Sequence, residues 1–256
     1  MVVDASQLAE ALFIAKGDGA RIPPPCDMSI DQGYAVQERS FRLRQVPIAA
    51  WKLALTSKAG QQAMGVDDPV VGRLAATDVK TAPHEDKATP GPLYVEAELV
   101  VTVARDLPPR TRSYDPSEVA AAIGPTYAAI ELCTSRFDND DVGAGLLVAD
   151  NAFAHVLVLG DRLGAAWDGR FAAAAVTLRR ASTARVQGST SAVMGNPLHA
   201  LAWLANWLSN RGQGLERGQI VATGSCTGVI QICPGEKLRA SFANMGEATV
   251  AIASRE

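Results

Sequence analysis

Residues 94–103 read YVEAELVVTV, and their alternation sets how the rest of the chain is read. Successive side chains of a strand point to opposite faces, so Val95, Ala97, Leu99, Val101 and Val103 line one wholly apolar face. Tyr94, Glu96, Glu98, Val100 and Thr102 line the other. One face is core, and the other carries two carboxylates about 6–7 Å apart at a rise of roughly 3.3 Å per residue. Asp106, Leu107, Pro108 and Pro109 end the strand. Residues 116–122 then read as a short helix and 127–133 as a second strand. Further apolar and β-branched runs, at 154–159, 172–178, 219–223, 229–233, 237–242 and 248–253, continue a β-rich pattern. One long helix interrupts it: Asn196 as N-cap, Pro197 at the first turn, a stripe of Leu198, Leu201, Ala202, Leu204, Ala205 and Leu208, and Gly212 as the stop.

Upstream the texture is helical. Asp4 with Gln7 opens a helix carrying Leu8, Ala9, Leu12 and Phe13 that stops near Gly17 and Gly19. Pro23, Pro24 and Pro25 make a loop, and Ser29 with Gln32 opens a second helix. Its apolar face is expected to hold Tyr34, Val36, Phe41 and Leu43, with Gln37, Glu38, Arg42 and Arg44 on the opposite side. The organisation expected is a small helical unit over residues 1–45 and a β-rich domain over 46–256, an α+β fold.

With 24 Lys plus Arg against 27 Asp plus Glu, and no long block of either sign, the chain lacks the electrostatic footprint of a nucleic-acid or anionic-membrane partner. Glu10 and Lys16 interrupt the opening apolar stretch, so no membrane span is expected, and a cytoplasmic location is the simplest reading. Cys26, Cys133, Cys226 and Cys233 form no C-x-x-C pair and read as reduced, mostly buried thiols. His84, His155 and His199 have no nucleophile and acid arranged about them, which leaves a hydrolytic triad unsupported.

Two glutamates on a strand face are solubilising if that face meets water. If it is half-buried they repel, and a bound cation relieves both the repulsion and the burial cost. Glu131 favours the second case, because it sits between Ile130 and Leu132 in YAAIELC, where no surface role explains it. Glu96, Glu98 and Glu131, without a His or Cys cluster, make a hard oxygen site suited to Mg²⁺ or Mn²⁺.

These residues also carry a family resemblance. YVEAELVVTVARDLP, AAIELCTSRF, VADNA, GNPLHALAWLANWLSNRGQGLERGQIVATGS and GEKLRASFANMGEATVAI follow one another in an order that resembles the 2-keto-4-pentenoate hydratase and 4-oxalocrotonate decarboxylase group of the fumarylacetoacetate hydrolase superfamily. The resemblance implies a mixed β-roll, a catalytic divalent metal on Glu96, Glu98 and Glu131, and a short unsaturated 2-keto acid as substrate. A Glu in third place points to the hydratase and decarboxylase branch. The family's G-x-K-x-G-x-T motif falls on residues 50–56, which makes Lys52 the catalytic lysine and Leu53 and Thr56 substrate contacts, with Ala50 and Ala54 replacing both glycines. By the same resemblance Asn151, Thr223 and Gly224 contact substrate. Val70 stands where hydratases have the Asp of P-D-x-G, and Phe153 replaces the small hydroxyl of D-N-A-S. The resemblance further implies a homo-oligomer working in aromatic catabolism, associated with a sequential pathway enzyme. Three activities stay open: hydration, decarboxylation of a vinylogous 2-oxo diacid, or a non-catalytic partner subunit. Lys52, flanked by Trp51 and Leu53, is expected to matter for turnover, and its removal to leave melting unchanged or raised.

Overall fold

The computed structural model describes residues 4–180 and 185–255. Its elements in chain order are α1 (Ala5–Asp18), α2 (Ile30–Leu43), β1 (Ala50–Ala54), α3 (Lys58–Met64), β2 (Val70–Leu74), β3 (Val79–Thr81), β4 (His84–Asp86), β5 (Leu93–Val103), α4 (Pro116–Ala120) and β6 (Ile123–Cys133). There follow α5 (Ala144–Ala149), β7 (Ala154–Gly164), β8 (Ala175–Arg180), β9 (Arg185–Ser189), α6 (Pro197–Ser209), β10 (Ile220–Ser225), β11 (Ile230–Ile232), β12 (Lys237–Phe242) and β13 (Gly246–Ile252). This is the expected α+β fold.

The caps form where the sequence places them. Asp4 accepts the N–H groups of Ser6 and Gln7 at the head of α1, and Gly19 closes that helix in the left-handed region. Ser29 and Gln32 make a reciprocal capping box on α2. Asn196 caps α6, whose Leu198, Leu201, Leu204 and Leu208 are all buried, each contributing roughly 1.5–3 kcal/mol. Two faces differ from expectation. Phe13 of α1 and Leu43 of α2 are exposed, whereas Gln37 of α2 is buried. A side-chain amide can enter a core where it completes hydrogen bonds, and Gln37 donates to the carbonyls of Val71 and Val148 while accepting from Arg73.

One large sheet runs β2-β1-β10-β5-β6-β7-β3, with β11 also pairing with β5, and a smaller one runs β4-β13-β12-β8-β9. The main core lies between them. Trp51, Leu53, Val95, Leu99, Val101, Ile130 and Leu132 of the large sheet meet Leu178, Leu238, Phe242 and Val250 of the small sheet and the leucines of α6. The other face of the large sheet is buried too, lined by the small side chains Ala50, Ala129 and Ala222 with Val100. The two carboxylates of residues 94–103 are therefore buried on this second face, while Tyr94 and Thr102 at its ends are partly exposed. Of the cysteines, Cys133 and Cys226 are buried and Cys26 and Cys233 exposed, so the expectation of mostly buried thiols holds for half of them. No helix among the described residues is long and apolar enough to cross a membrane.

Candidate metal and active site

Period two within β1 sends Trp51 and Leu53 into the main core and Lys52 to the opposite face. Lys52 is opposite Ala222 of β10 and Gly72 of β2. The small neighbours make room for it: a Cβ on Gly72 would lie 2.8 Å from Lys52 Cγ. Antiparallel pairing of β5 with β6 sets Glu96 directly opposite Glu131, and Glu98 follows two residues along the same face. Lys52 Nζ lies 3.3 Å from Glu131 Oε1 and 4.0 Å from Glu96 Oε2. It donates to the Ala152 carbonyl at 2.8 Å and approaches Cys133 Sγ at 3.6 Å. Lys52 is 1% exposed and Glu98 and Glu131 are 0% exposed, so the charges face one another rather than solvent.

The carboxylates are short of partners. Glu98 Oε2 accepts the Gly224 N–H at 2.9 Å, while Glu98 Oε1 and both oxygens of Glu131 complete no hydrogen bond. Burial, followed by the charges of Glu131 and Glu96, pushes the Glu98 carboxyl well above the usual range. Burial also raises Glu131, to about 7, against the pull of Lys52. Burial works to lower the Lys52 ammonium, but Cys133, Glu131, Glu96 and Glu98 together hold it above its ordinary range. Buried, mutually repelling carboxylate oxygens that complete no hydrogen bond are what a divalent cation would satisfy, and an all-carboxylate donor set suits a hard ion. Glu96, Glu131 and Cys133 each offer a ligand atom, all within 4.8 Å of one another.

The other residues singled out by the resemblance take varied positions. Leu53 points into the main core, away from Lys52. The Thr223 hydroxyl donates to the Leu99 carbonyl at 2.8 Å, which ties β10 to β5. Gly224 has φ 117°, and a Cβ there would lie 2.2 Å from the Oγ1 of the buried Thr56. Only glycine fits, and its N–H orients Glu98. Asn151 clamps β2: its Oδ1 accepts the Arg73 N–H at 2.8 Å and its Nδ2 donates to the Arg73 carbonyl at 2.7 Å. Asn151, Ala152 and Phe153 all adopt left-handed backbone, with φ of 56°, 52° and 58°. The left-handed region costs roughly 1–2 kcal/mol for each residue other than glycine. The Asn151 clamp and the Thr134 N–H to Phe153 carbonyl bond hold this turn, and the turn aims the Ala152 carbonyl at Lys52. Val70 and Phe153 join Leu147, Val148 and Ala152 in an apolar cluster that also includes Tyr34, Leu55 and Met64.

Sequence reasoning missed the buried support of this turn. Asp150 accepts from the Arg136 backbone and guanidinium and from Ser135, while Arg136 also donates to the carbonyls of Thr134, Ala154 and Asp150. It missed Cys133 as well, although the period that places Glu131 on the site face also places Cys133 there. None of the three histidines joins the cluster: His84 and His155 face Asp86, and His199 meets the Met194 carbonyl.

The family model of the fumarylacetoacetate hydrolase C-terminal region matches residues 38–253. The chain belongs to this family. Among its relatives, 2-keto-4-pentenoate hydratase 2 of Dechloromonas aromatica is 32% identical over 97% of this chain and 98% of the relative. A 4-oxalocrotonate decarboxylase of Pseudomonas putida is 29% identical over 86% of this chain and 84% of its own length. The solved 4-oxalocrotonate decarboxylase from Pseudomonas putida G7, complexed with magnesium and adipate, superimposes with a TM-score of 0.88 at 25% identity and covers 97% of both chains. The fumarylacetoacetate hydrolase family thus supplies the β-roll that the sequence resemblance implied. The chain sits in its hydratase and decarboxylase group.

Proposed function

We propose that this protein is a divalent-metal-dependent lyase that hydrates a short unsaturated 2-keto acid such as 2-hydroxypenta-2,4-dienoate. The observation that carries the reading is the buried carboxylate cluster with orphaned oxygens packed against a buried lysine. Glu96, Glu98 and Glu131 would hold Mg²⁺ or Mn²⁺. When bound, such an ion supplies Lewis-acid stabilisation of negative charge developing on the substrate 2-oxygen. Lys52 Nζ, held by the Ala152 carbonyl, would meet the substrate carboxylate or move a proton at the dienol carbons. Val70, Phe153 and Leu55 would form the apolar wall that excludes bulk water. Thr56, Asn151, Thr223 and Gly224 complete the proposed surroundings, the last three acting through the backbone bonds described above, whereas Leu53 supports Lys52 only from the core side of β1.

Val70 favours a second reading. A buried valine where hydratases have a carboxylate leaves no acid there to activate water, whereas loss of CO₂ from a vinylogous 2-oxo diacid needs none. The test is to incubate the protein with Mg²⁺ and either 2-hydroxypenta-2,4-dienoate or 2-oxo-3-hexenedioate, following ultraviolet absorbance and CO₂ release separately. Metal-dependent loss of the dienoate absorbance supports hydration, and CO₂ from the diacid supports decarboxylation. Inertness toward both would overturn the lyase reading and favour a non-catalytic partner subunit. The proposal extends to a cytoplasmic homo-oligomer in aromatic catabolism, working beside a sequential pathway enzyme.

A further inference from the structure

Cys133 and Cys226 are both buried, yet they keep different company. Cys226 packs in the main hydrophobic core, as a small apolar side chain does. Cys133 follows Glu131 by two residues on β6, so it shares that residue's face and points at the charged cluster. Its Sγ lies 3.5 Å from Glu96 Oε2 and 3.6 Å from Lys52 Nζ. Sγ and one oxygen each from Glu96 and Glu131 fall within 4.8 Å of one another, and both Glu131 oxygens are buried without a hydrogen-bond partner. In the metal-free cluster the thiol donates to Glu96 and accepts from Lys52, but a purely oxygen-ligated Mg²⁺ site has no use for it as a ligand, because thiolate is a poor partner for hard cations and a strong one for borderline and soft cations.

We propose that Cys133 Sγ is a metal ligand and that, with Glu96 and Glu131, it gives this site a second mode of binding, for thiophilic divalent cations of the Zn²⁺, Co²⁺ and Cd²⁺ class. The inference rests on the metal-site reading above, since it reuses two of its three carboxylates. Binding breaks the S–H bond, forms a sulfur–metal bond and passes the proton to solvent, with no change of oxidation state. Glu98, bound to the Gly224 N–H, stays available to the hard-ion mode, so the choice of cation selects which ligand joins Glu96 and Glu131.

The experiment reads the ligand directly. Wild type, Cys133→Ser and Cys133→Val are titrated with Co²⁺ and followed in the near ultraviolet, where thiolate-to-cobalt charge transfer absorbs. Mn²⁺ binding is followed in parallel by electron paramagnetic resonance. The expected result is a charge-transfer band in wild type that is lost from both variants, with Mn²⁺ still bound by all three. Zn²⁺ affinity should fall on the order of 10–100-fold, the range seen even for outer partners of a metal site. The valine variant keeps the volume apolar and guards against a folding defect in the serine variant. Mn²⁺ binding without a wild-type band, or a band of equal strength in wild type and variants, overturns the inference and leaves the hard-ion reading standing. Failure of wild type to bind either ion overturns both.

Discussion

Lys52 shows how far one residue's surroundings depend on chain segments distant in sequence. Between Trp51 and Leu53 it has no anionic neighbour, which is why its removal is expected from sequence to leave melting unchanged or raised. The structure reverses the energetic half of that expectation. Glu131 at 3.3 Å and Glu96 at 4.0 Å compensate the ammonium, and it in turn is the charge that makes their burial tolerable. Removing one partner of a buried charge pair leaves the other uncompensated, typically at a cost of about 3–5 kcal/mol. Lys52→Ala should therefore melt well below wild type when metal-free, recover part of the difference in Mg²⁺, and lose roughly 10²–10⁴ in kcat/KM at saturating metal, as for a lost acid/base or charge-stabilising group. Activity within a few fold of wild type on a substrate that wild type turns over would remove Lys52 from the chemistry. An unchanged metal-free Tm would show the cluster to be held by other means.

The turn between α5 and β7 and the docking of α2 are where prediction from sequence thinned out. Glu96, Glu98 and Glu131 were legible because strand period two is rigid, and β12 because its apolar alternation is unbroken. The Asn151 clamp was not, since it satisfies the backbone of Arg73, 78 residues earlier, and no local pattern encodes that partner. Gln37 was misassigned for the same reason: its acceptors belong to β2 and α5. The Asp150 and Arg136 pair beneath the turn is likewise non-local in its energetics. Asp150→Ala strands a buried guanidinium, so chemical denaturation should show a loss of about 3–5 kcal/mol; a loss under 1 kcal/mol would mean that the Thr134 and Ala154 carbonyls suffice. On α2, the Tyr34 hydroxyl accepts the Val71 N–H at 2.9 Å, and burial pushes its phenol up to about 12. The folded state then keeps a proton that the unfolded chain gives up near pH 10, so this group's stabilisation is complete below about pH 10 and drains away toward pH 12, on the order of 2 kcal/mol in all. Tyr34→Phe cannot ionise and should show a shallower alkaline decline in stability than wild type. Parallel declines would place the phenol in solvent.

At the scale of the whole molecule, the large sheet packs apolar side chains on both of its faces, but only one of the two is apolar throughout. The other ends in carboxylates on β5 and β6 and a lysine on β1, in strands spaced across the centre of the sheet order. Repulsion among these carboxylates acts at the centre of the sheet, and a cation bound to the native state alone therefore stabilises the whole fold. By mass action the gain is about 2.7 kcal/mol at a metal concentration one hundred times Kd. For a chain of this size each kcal/mol moves Tm by about 2–4 °C, so saturating Mg²⁺ or Mn²⁺ should raise Tm by about 5–10 °C over chelator-treated protein. Glu98→Gln keeps the volume and an acceptor for the Gly224 N–H but removes a charge from the cluster. It should melt as well as wild type or better without metal, because a repelling carboxylate has gone, and gain less when metal is added. Differential scanning calorimetry of both proteins, with chelator and across a metal titration, measures the two effects together. A wild-type Tm indifferent to both ions would show that Lys52 alone balances the carboxylates. An equal metal-induced rise in Glu98→Gln would remove Glu98 from the ligand set, leaving Glu96 and Glu131 to bind the ion.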